Sequence, residues 1–288
     1  SIGENHYAFG SVNGGLLITD KKFNPVNNIS TGNILQDDGV NYIYNDNQGH
    51  IWLALAKGIS LIEFNSPITR FTKSEGVIGT IESCEFFNGG AFLATDKGLL
   101  SYNQSSQKFE NTNITEASWC VYKLNTLLLA GTNFGLYLYN GKTFDLIYET
   151  PSAIHAIYYH PSTQTLFLGT ETGYVKGMID KNKFISINEN FDITGDIRTI
   201  VGDQDFVYMG TTLDGIYYEN VKKSELKLLT KENGLPSLNE NYVFKHGEEI
   251  LAVTDAGIYV ISSSNGTKTV KQDARLSRFN KMYSISRT

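Results

Sequence analysis

Leu166-Phe167-Leu168-Gly169-Thr170-Glu171-Thr172-Gly173-Tyr174 contains the pattern that organises this chain. An apolar strand ends in a small residue and Thr, a tight turn follows, and then come Gly and an apolar residue. Six further copies read Tyr7–Ser11 with Gly15-Leu16, Ile51–Leu55 with Gly58-Ile59, and Ala91–Thr95 with Gly98-Leu99. They continue as Leu128–Thr132 with Gly135-Leu136, Val207–Thr211 with Gly215-Ile216, and Ile250–Thr254 with Gly257-Ile258. Successive Thr-equivalent positions (11, 55, 95, 132, 170, 211, 254) lie 37 to 44 residues apart. Repeats of that length, each with room for four strands, are the sequence signature of propeller blades.

The second copy predicts strands at Val40–Asn45, Ile51–Ala56, Ile59–Phe64 and Ile68–Phe71. The Gly after each turn answers a physical need, because a tight strand-to-strand connection favours a residue that tolerates positive φ. The first copy lacks an inner strand, since only a few residues precede Tyr7, while the last copy is followed by a surplus apolar strand, Met282–Ser286. From Thr254 through the two chain ends to Ser11 is one further repeat length. The expected fold is therefore all-β: a single seven-bladed β-propeller of four-stranded antiparallel blades over residues 1–288. Its ring is closed by the C-terminal strand in the blade of Tyr7–Ser11, which removes the open edges of a linear stack. The opening Ser1-Ile2-Gly3, without Met, suggests an excised part of a larger multidomain receptor.

Composition narrows the function classes. The chain is 41% hydrophobic, and its 17 Tyr and 16 Phe favour strands. A formal charge of −6 gives no basic footprint for nucleic acid. No apolar run approaches a bilayer span, so direct membrane insertion is not expected. Cys84 and Cys120 are too few for a disulfide framework. They are read as equivalent inner-strand positions beside Ile43, Ile157, Ile200, Val243 and Ile285, hence as free buried thiols. His6, His50, His155, His160 and His246 show no paired spacing and no nucleophile or orienting partner, so no catalytic residue, metal ligand or cofactor is assigned. Asp46 is read as a turn cap and Trp52 as packing between blades.

The second repeat runs Val40-Asn-Tyr-Ile43-Tyr-Asn-Asp46-Asn-Gln-Gly49-His-Ile51-Trp52-Leu53-Ala54-Leu55-Ala-Lys-Gly58-Ile59. It resembles the two-component-regulator propeller repeat, V-x-x-I-x-x-D-x-x-G-x-I-W-[IL]-G-T-x-x-G-[IL], and departs from it at Ala54-Leu55, where the family prefers Gly-Thr. Asn233–Ser237 is similar to the linker preceding such repeats. The Trp-Asp dipeptide of WD40 repeats is absent, and Asp46–Gly49 is one residue longer than a sialidase-type Asp box. The resemblance implies a non-enzymatic, periplasmic or extracytoplasmic sensor propeller of a bacterial two-component-type receptor. It is compatible with a homodimer of the full-length receptor and with an adjacent propeller as partner. A carbohydrate-acting propeller enzyme and a protein-interaction scaffold are the other classes weighed.

Topology places the binding face. Turns between second and third strands share one face with the segments linking blades, and loops on a rigid scaffold concentrate binding residues. The expected ligand-binding residues are Asp96, Asn133, Phe134, Glu171, Asp214 and Asp255, with Asn13 and Lys57 on the same face. A polar and aromatic rim suits a carbohydrate or another small ligand, and Phe134 offers a ring to stack on a sugar.

Overall fold

The computed structural model describes residues 5–32, 35–63, 70–191, 193–264, 267–272 and 274–276. The chain divides into two compact units, Ser1–Ser74 and Glu75–Thr288. Each repeat forms one antiparallel meander sheet, and these seven sheets are the blades of a β-propeller.

The first unit holds two sheets of three described strands. One pairs β1 (His6–Gly10), β2 (Leu16–Asp20) and β3 (Pro25–Ile29); the other pairs β4 (Val40–Asn45), β5 (Ile51–Leu55) and β6 (Ile59–Ile62). Leu16, Ile18, Ile29, Leu35, Ile51, Leu53 and Leu55 form their shared core. The expected closing strand Met282–Ser286 lies outside the described residues, as do residues 68 and 69 of the expected strand Ile68–Phe71, whose Arg70 and Phe71 are not in a strand.

The second unit holds five four-stranded sheets. Blade three is β7 (Ile81–Phe87), β8 (Gly90–Thr95), β9 (Gly98–Asn103) and β10 (Lys108–Asn111). Blade four is β11 (Ser118–Leu124), β12 (Leu127–Thr132), β13 (Gly135–Tyr139) and β14 (Phe144–Glu149). Blade five is β15 (Ile154–His160), β16 (Thr165–Thr170), β17 (Gly173–Asp180) and β18 (Lys183–Asn190). Blade six is β19 (Ile197–Gly202), β20 (Phe206–Thr211), β21 (Ile216–Asn220) and β22 (Glu225–Leu229). Blade seven is β23 (Tyr242–His246), β24 (Glu249–Thr254), β25 (Gly257–Ser264) and β26 (Thr267–Gln272).

The repeat residues have specific work in this unit. The Thr hydroxyl ending each second strand bonds the carbonyl of the Gly opening the third, at 2.8 Å for Thr95–Gly98 and 3.0 Å for Thr170–Gly173. Gly173 sits at φ +153°, and a Cβ there would lie 1.9 Å from the Asn190 carbonyl oxygen. The small residue before the Thr serves the next blade. A Cβ on Gly131 would stand 2.7 Å from Ile154 Cγ2, and one on Gly169 would stand 2.6 Å from Ile197 Cγ2. Gly therefore lets blades four, five and six accept the following inner strand at close range. Apolar clusters fill the interfaces, such as Leu129, Leu136 and Leu138 of blade four against Ile157, Leu168 and Val175 of blade five. Blades five and six are also tied by a buried ion pair. Lys176 Nζ lies 2.6 Å from Glu219 Oε1, while the Tyr174 hydroxyl donates to Glu219 Oε2 at 2.7 Å.

Two sequence expectations are corrected. Cys84 and Cys120 are not equivalent: Cys84 faces Leu93 across its hairpin, whereas Cys120 faces Gly131, one step nearer the Thr. Val121, opposite Ala130, is the counterpart of Cys84. Cys120 is buried, its thiol 3.8 Å from the Ile154 carbonyl of the next blade, whereas Cys84 is exposed although its counterpart Val121 is buried. Trp52 is 41% exposed rather than packed in a core, although its counterparts Phe92, Leu129, Phe167, Tyr208 and Leu251 are buried. Its indole N–H instead donates to Asp46 Oδ2 at 3.1 Å.

Candidate functional site

Five inner strands share an irregularity at the same register position. In β4, β7, β11, β15 and β19 the pairing skips one residue just after the strand begins. The skipped residues are Asn41, Glu82, Trp119, His155 and Arg198. Each sits in a β-bulge, where two residues oppose one and the side chain is re-aimed. The position lies at the end of the inner strand nearest the turn between second and third strands. The bulged residues of blades three to six therefore project toward the face that topology selects for binding.

Three of them, on consecutive blades of the second unit, form one cluster. The Trp119 indole N–H donates to Asn133 Oδ1 at 2.7 Å. The His155 ring meets Trp119 edge to face at 4.8 Å between centroids, and the Arg198 guanidinium lies over the indole at 5.4 Å. Arg198 donates from Nε and Nη2 to Asp196 Oδ2 at 3.0 and 2.6 Å. Asp196 is pinned in turn, its backbone N–H donating to Thr212 Oγ1 at 3.0 Å. The arrangement is rigid, because each partner is held by a strand or by a turn-to-linker hydrogen bond.

His155 stands out within it. The residue is only 8% exposed, yet its Nδ1 has no hydrogen-bond partner among the described residues, with Asp196 Oδ2 3.6 Å away. Burial, and then the Arg198 charge, push its pKa down to about 4, against the opposing pull of Asp196. At neutral pH the ring is uncharged, so its polar nitrogen is buried and unsatisfied.

The sequence-selected turns do share a face with the linkers. Backbone N–H groups of Asn133, Glu171 and Thr212 donate to the carbonyls of Ala117, Ala153 and Asp196 in the segments entering their own blades. Of the six expected residues, Asn133 joins the cluster and Phe134 stands beside it, 61% exposed. Glu171 and Asp255 occupy exposed turns. Asp96 and Asp214 have local structural partners. Asp96 accepts the Thr80 N–H at 2.6 Å, which chiefly holds its pKa below the usual carboxylate range, and Asp214 accepts the Tyr217 hydroxyl. Asn13 and Lys57 belong to turns of the first unit. Sequence reasoning missed Trp119, Asp196 and Arg198 and set His155 aside. The available signal was the column two residues before the inner-strand apolar position, obscured by aligning Cys120 with Cys84.

The remaining motif residues are structural. His160 is buried with both ring nitrogens bonded, to Thr163 Oγ1 and the Asp203 carbonyl. Asp46 accepts the N–H groups of Gln48 and His50 and the Trp52 indole. Desolvation raises its pKa, but these donors outweigh it and keep the carboxylate ionised well below the ordinary range. On the opposite face of the second unit a groove of about 340 Å³ is lined by Leu124, Leu127, Tyr159, Leu166, Met178 and Ile179, with a polar rim. Among the described residues no group of three His, Cys, Asp or Glu side chains is placed to hold a metal, and no helix is long and apolar enough to cross a membrane.

No family model and no curated protein sequence matches the chain. Solved structures do. The extracellular domain of a protein assigned as a hybrid two-component system, BT3049 from B. thetaiotaomicron, superposes with TM-score 0.71 at 19% identity, covering 93% of this chain and 39% of that one. The extracellular domain of BT4673 from the same organism, assigned as a one-component system, gives TM-score 0.59 at 16% identity over 99% of this chain and 43% of that one. The computationally designed Ika8 protein gives 0.51 at 10% identity, covering 93% and 84%. The chain thus spans about two fifths of the two extracellular domains it matches. The fold is a β-propeller like theirs, in keeping with the resemblance read from the second repeat.

Proposed function

We propose that this chain is a non-catalytic sensing propeller, part of the extracytoplasmic region of a bacterial two-component-type receptor. In this reading it recognises a small ligand, a carbohydrate in the first instance, on the face of Trp119, His155 and Arg198. The observation that carries the reading is the three-blade cluster itself, a fixed aromatic, guanidinium and carboxylate set beside a buried polar nitrogen with no partner. Such convergence on a rigid scaffold is the usual form of a ligand site. The structural likeness to extracellular domains of two-component systems and the second-repeat pattern support the receptor context.

The cluster lacks the arrangement catalysis would use. Its carboxylate is paired with Arg198 through Oδ2, and among the described residues no nucleophile stands within hydrogen-bond reach of His155 Nδ1. The test is signalling by the full-length receptor. Trp119→Ala and Arg198→Ala should each abolish the response while the circular dichroism and melting profile of the folded protein persist. An unchanged response from both would refute the site. Release of reducing ends from polysaccharide by the purified protein would refute the non-catalytic reading.

A further inference from the structure

The polar groups around Trp119 define which ligands within the proposed class fit. Arg198 uses Nε and Nη2 on Asp196, which leaves the Nη1 donors free of that pair. Asn133 accepts from the indole, which leaves its amide N–H donors. Asp196 bonds Arg198 through Oδ2, which leaves Oδ1 as an acceptor, while His155 Nδ1 lies buried behind the set. Donors and acceptors are thus mixed around one indole plane, as the alternating hydroxyls of a sugar ring require.

Net charge is the second constraint. The guanidinium of Arg198 is already paired with a carboxylate at 2.6 Å. The five turns of this face in the second unit carry four carboxylates, on Asp96, Glu171, Asp214 and Asp255, against one lysine. That lysine, Lys97, lies 3.3 Å from Asp96. The bulge of blade three adds Glu82. A face dominated by one sign of charge repels ligands of the same sign.

Resting on the sensing reading, we infer that this site selects an uncharged sugar ring and rejects carboxylated or sulfated ones. The ring lies on Trp119, with its hydroxyls shared among Arg198, Asn133 and Asp196. The Asp196 carboxylate sets the selectivity, because it cancels the one cation a uronate would seek.

Calorimetry on the 288-residue protein with matched trisaccharides tests this: galactose against galacturonic acid, glucose against glucuronic acid, mannose against mannuronic acid. At least one neutral member should bind about tenfold or more tighter than its acidic twin, the penalty of like charges across an interface. Asp196→Asn should narrow or invert that ratio, and Trp119→Ala should abolish binding of the neutral member. Tighter binding of an acidic member to the wild type overturns the selectivity and leaves the sensing reading intact. Binding of no member of any pair overturns the inference, and the signalling of the Trp119 and Arg198 variants then shows separately whether the sensing site survives.

Discussion

Blade two and blades four to six are built from the same repeat and use it differently. Blade two carries the recognisable motif, Asp46, Gly49 and Trp52, and the structure employs it locally: the carboxylate gathers two backbone N–H groups and the indole N–H. Blades four to six lack that motif but keep Gly-Thr at the end of the second strand, which lets the next inner strand approach closely. Their bulges then present Trp119, His155 and Arg198 to one another. The residues that make a repeat recognisable are turn and packing residues. Unsatisfied chemistry sits where the repeat leaves the residue type open.

The comparison can be broken most forcefully at the interface of blades five and six. Glu219→Ala leaves Lys176 and Tyr174 buried without their acceptor and should cost about 3–5 kcal/mol in urea unfolding. Because the carboxylate is 1% exposed, solvent offers little relief. A loss under 1 kcal/mol would mean the pair does not hold the blades.

Next in size, Gly169→Val should cost about 1–3 kcal/mol by forcing atoms into Ile197, whereas Ala54→Gly in blade two should cost under about 1 kcal/mol. Equal losses would deny that Gly-Thr serves close blade approach in one region and not the other. Trp52→Phe keeps an aromatic side chain and removes the solvent-facing bond to Asp46, so a small drop in urea midpoint is expected. A neutral result would leave the Asp46–Trp52 contact without weight.

The last expected effect is a pH slope. The folded-state pKa of His155 lies at about 4, below its ordinary value of about 6.5. Between those values the unfolded chain binds a proton that the folded one refuses, so folding is weakened as pH falls through that window and unchanged by this group outside it. His155→Gln should therefore flatten the decline in urea midpoint between pH 6.5 and 4 relative to wild type. Parallel declines in the two proteins would place the imidazole outside the buried environment beside Arg198.

Much of this molecule was legible from spacing. The seven-fold pattern fixes the blade count, and Gly173 with Thr170 shows why: one residue accepts the left-handed turn and the other ties it shut. Chain order also selects the face, since turns and linkers must meet at the same end of a meander, as the Asn133 and Ala117 hydrogen bond shows. Within the six residues chosen there, Asp96 and Asp214 prove to be tied to Thr80 and Tyr217, because an exposed carboxylate near a backbone or phenolic donor binds it before any ligand arrives.

What the sequence determined by itself was periodicity: seven antiparallel blades, their strand order, and the end of each blade where loops converge. Only the tertiary structure decided which side chains share a site. A β-bulge inserts one residue without marking the sequence, and a single-residue offset sends a strand side chain to the other face. Trp119, His155 and Arg198 lie some 40 residues apart along the chain and touch because consecutive inner strands bulge at the same level. Their meeting depends on the stacking of blades, which no local stretch of residues encodes.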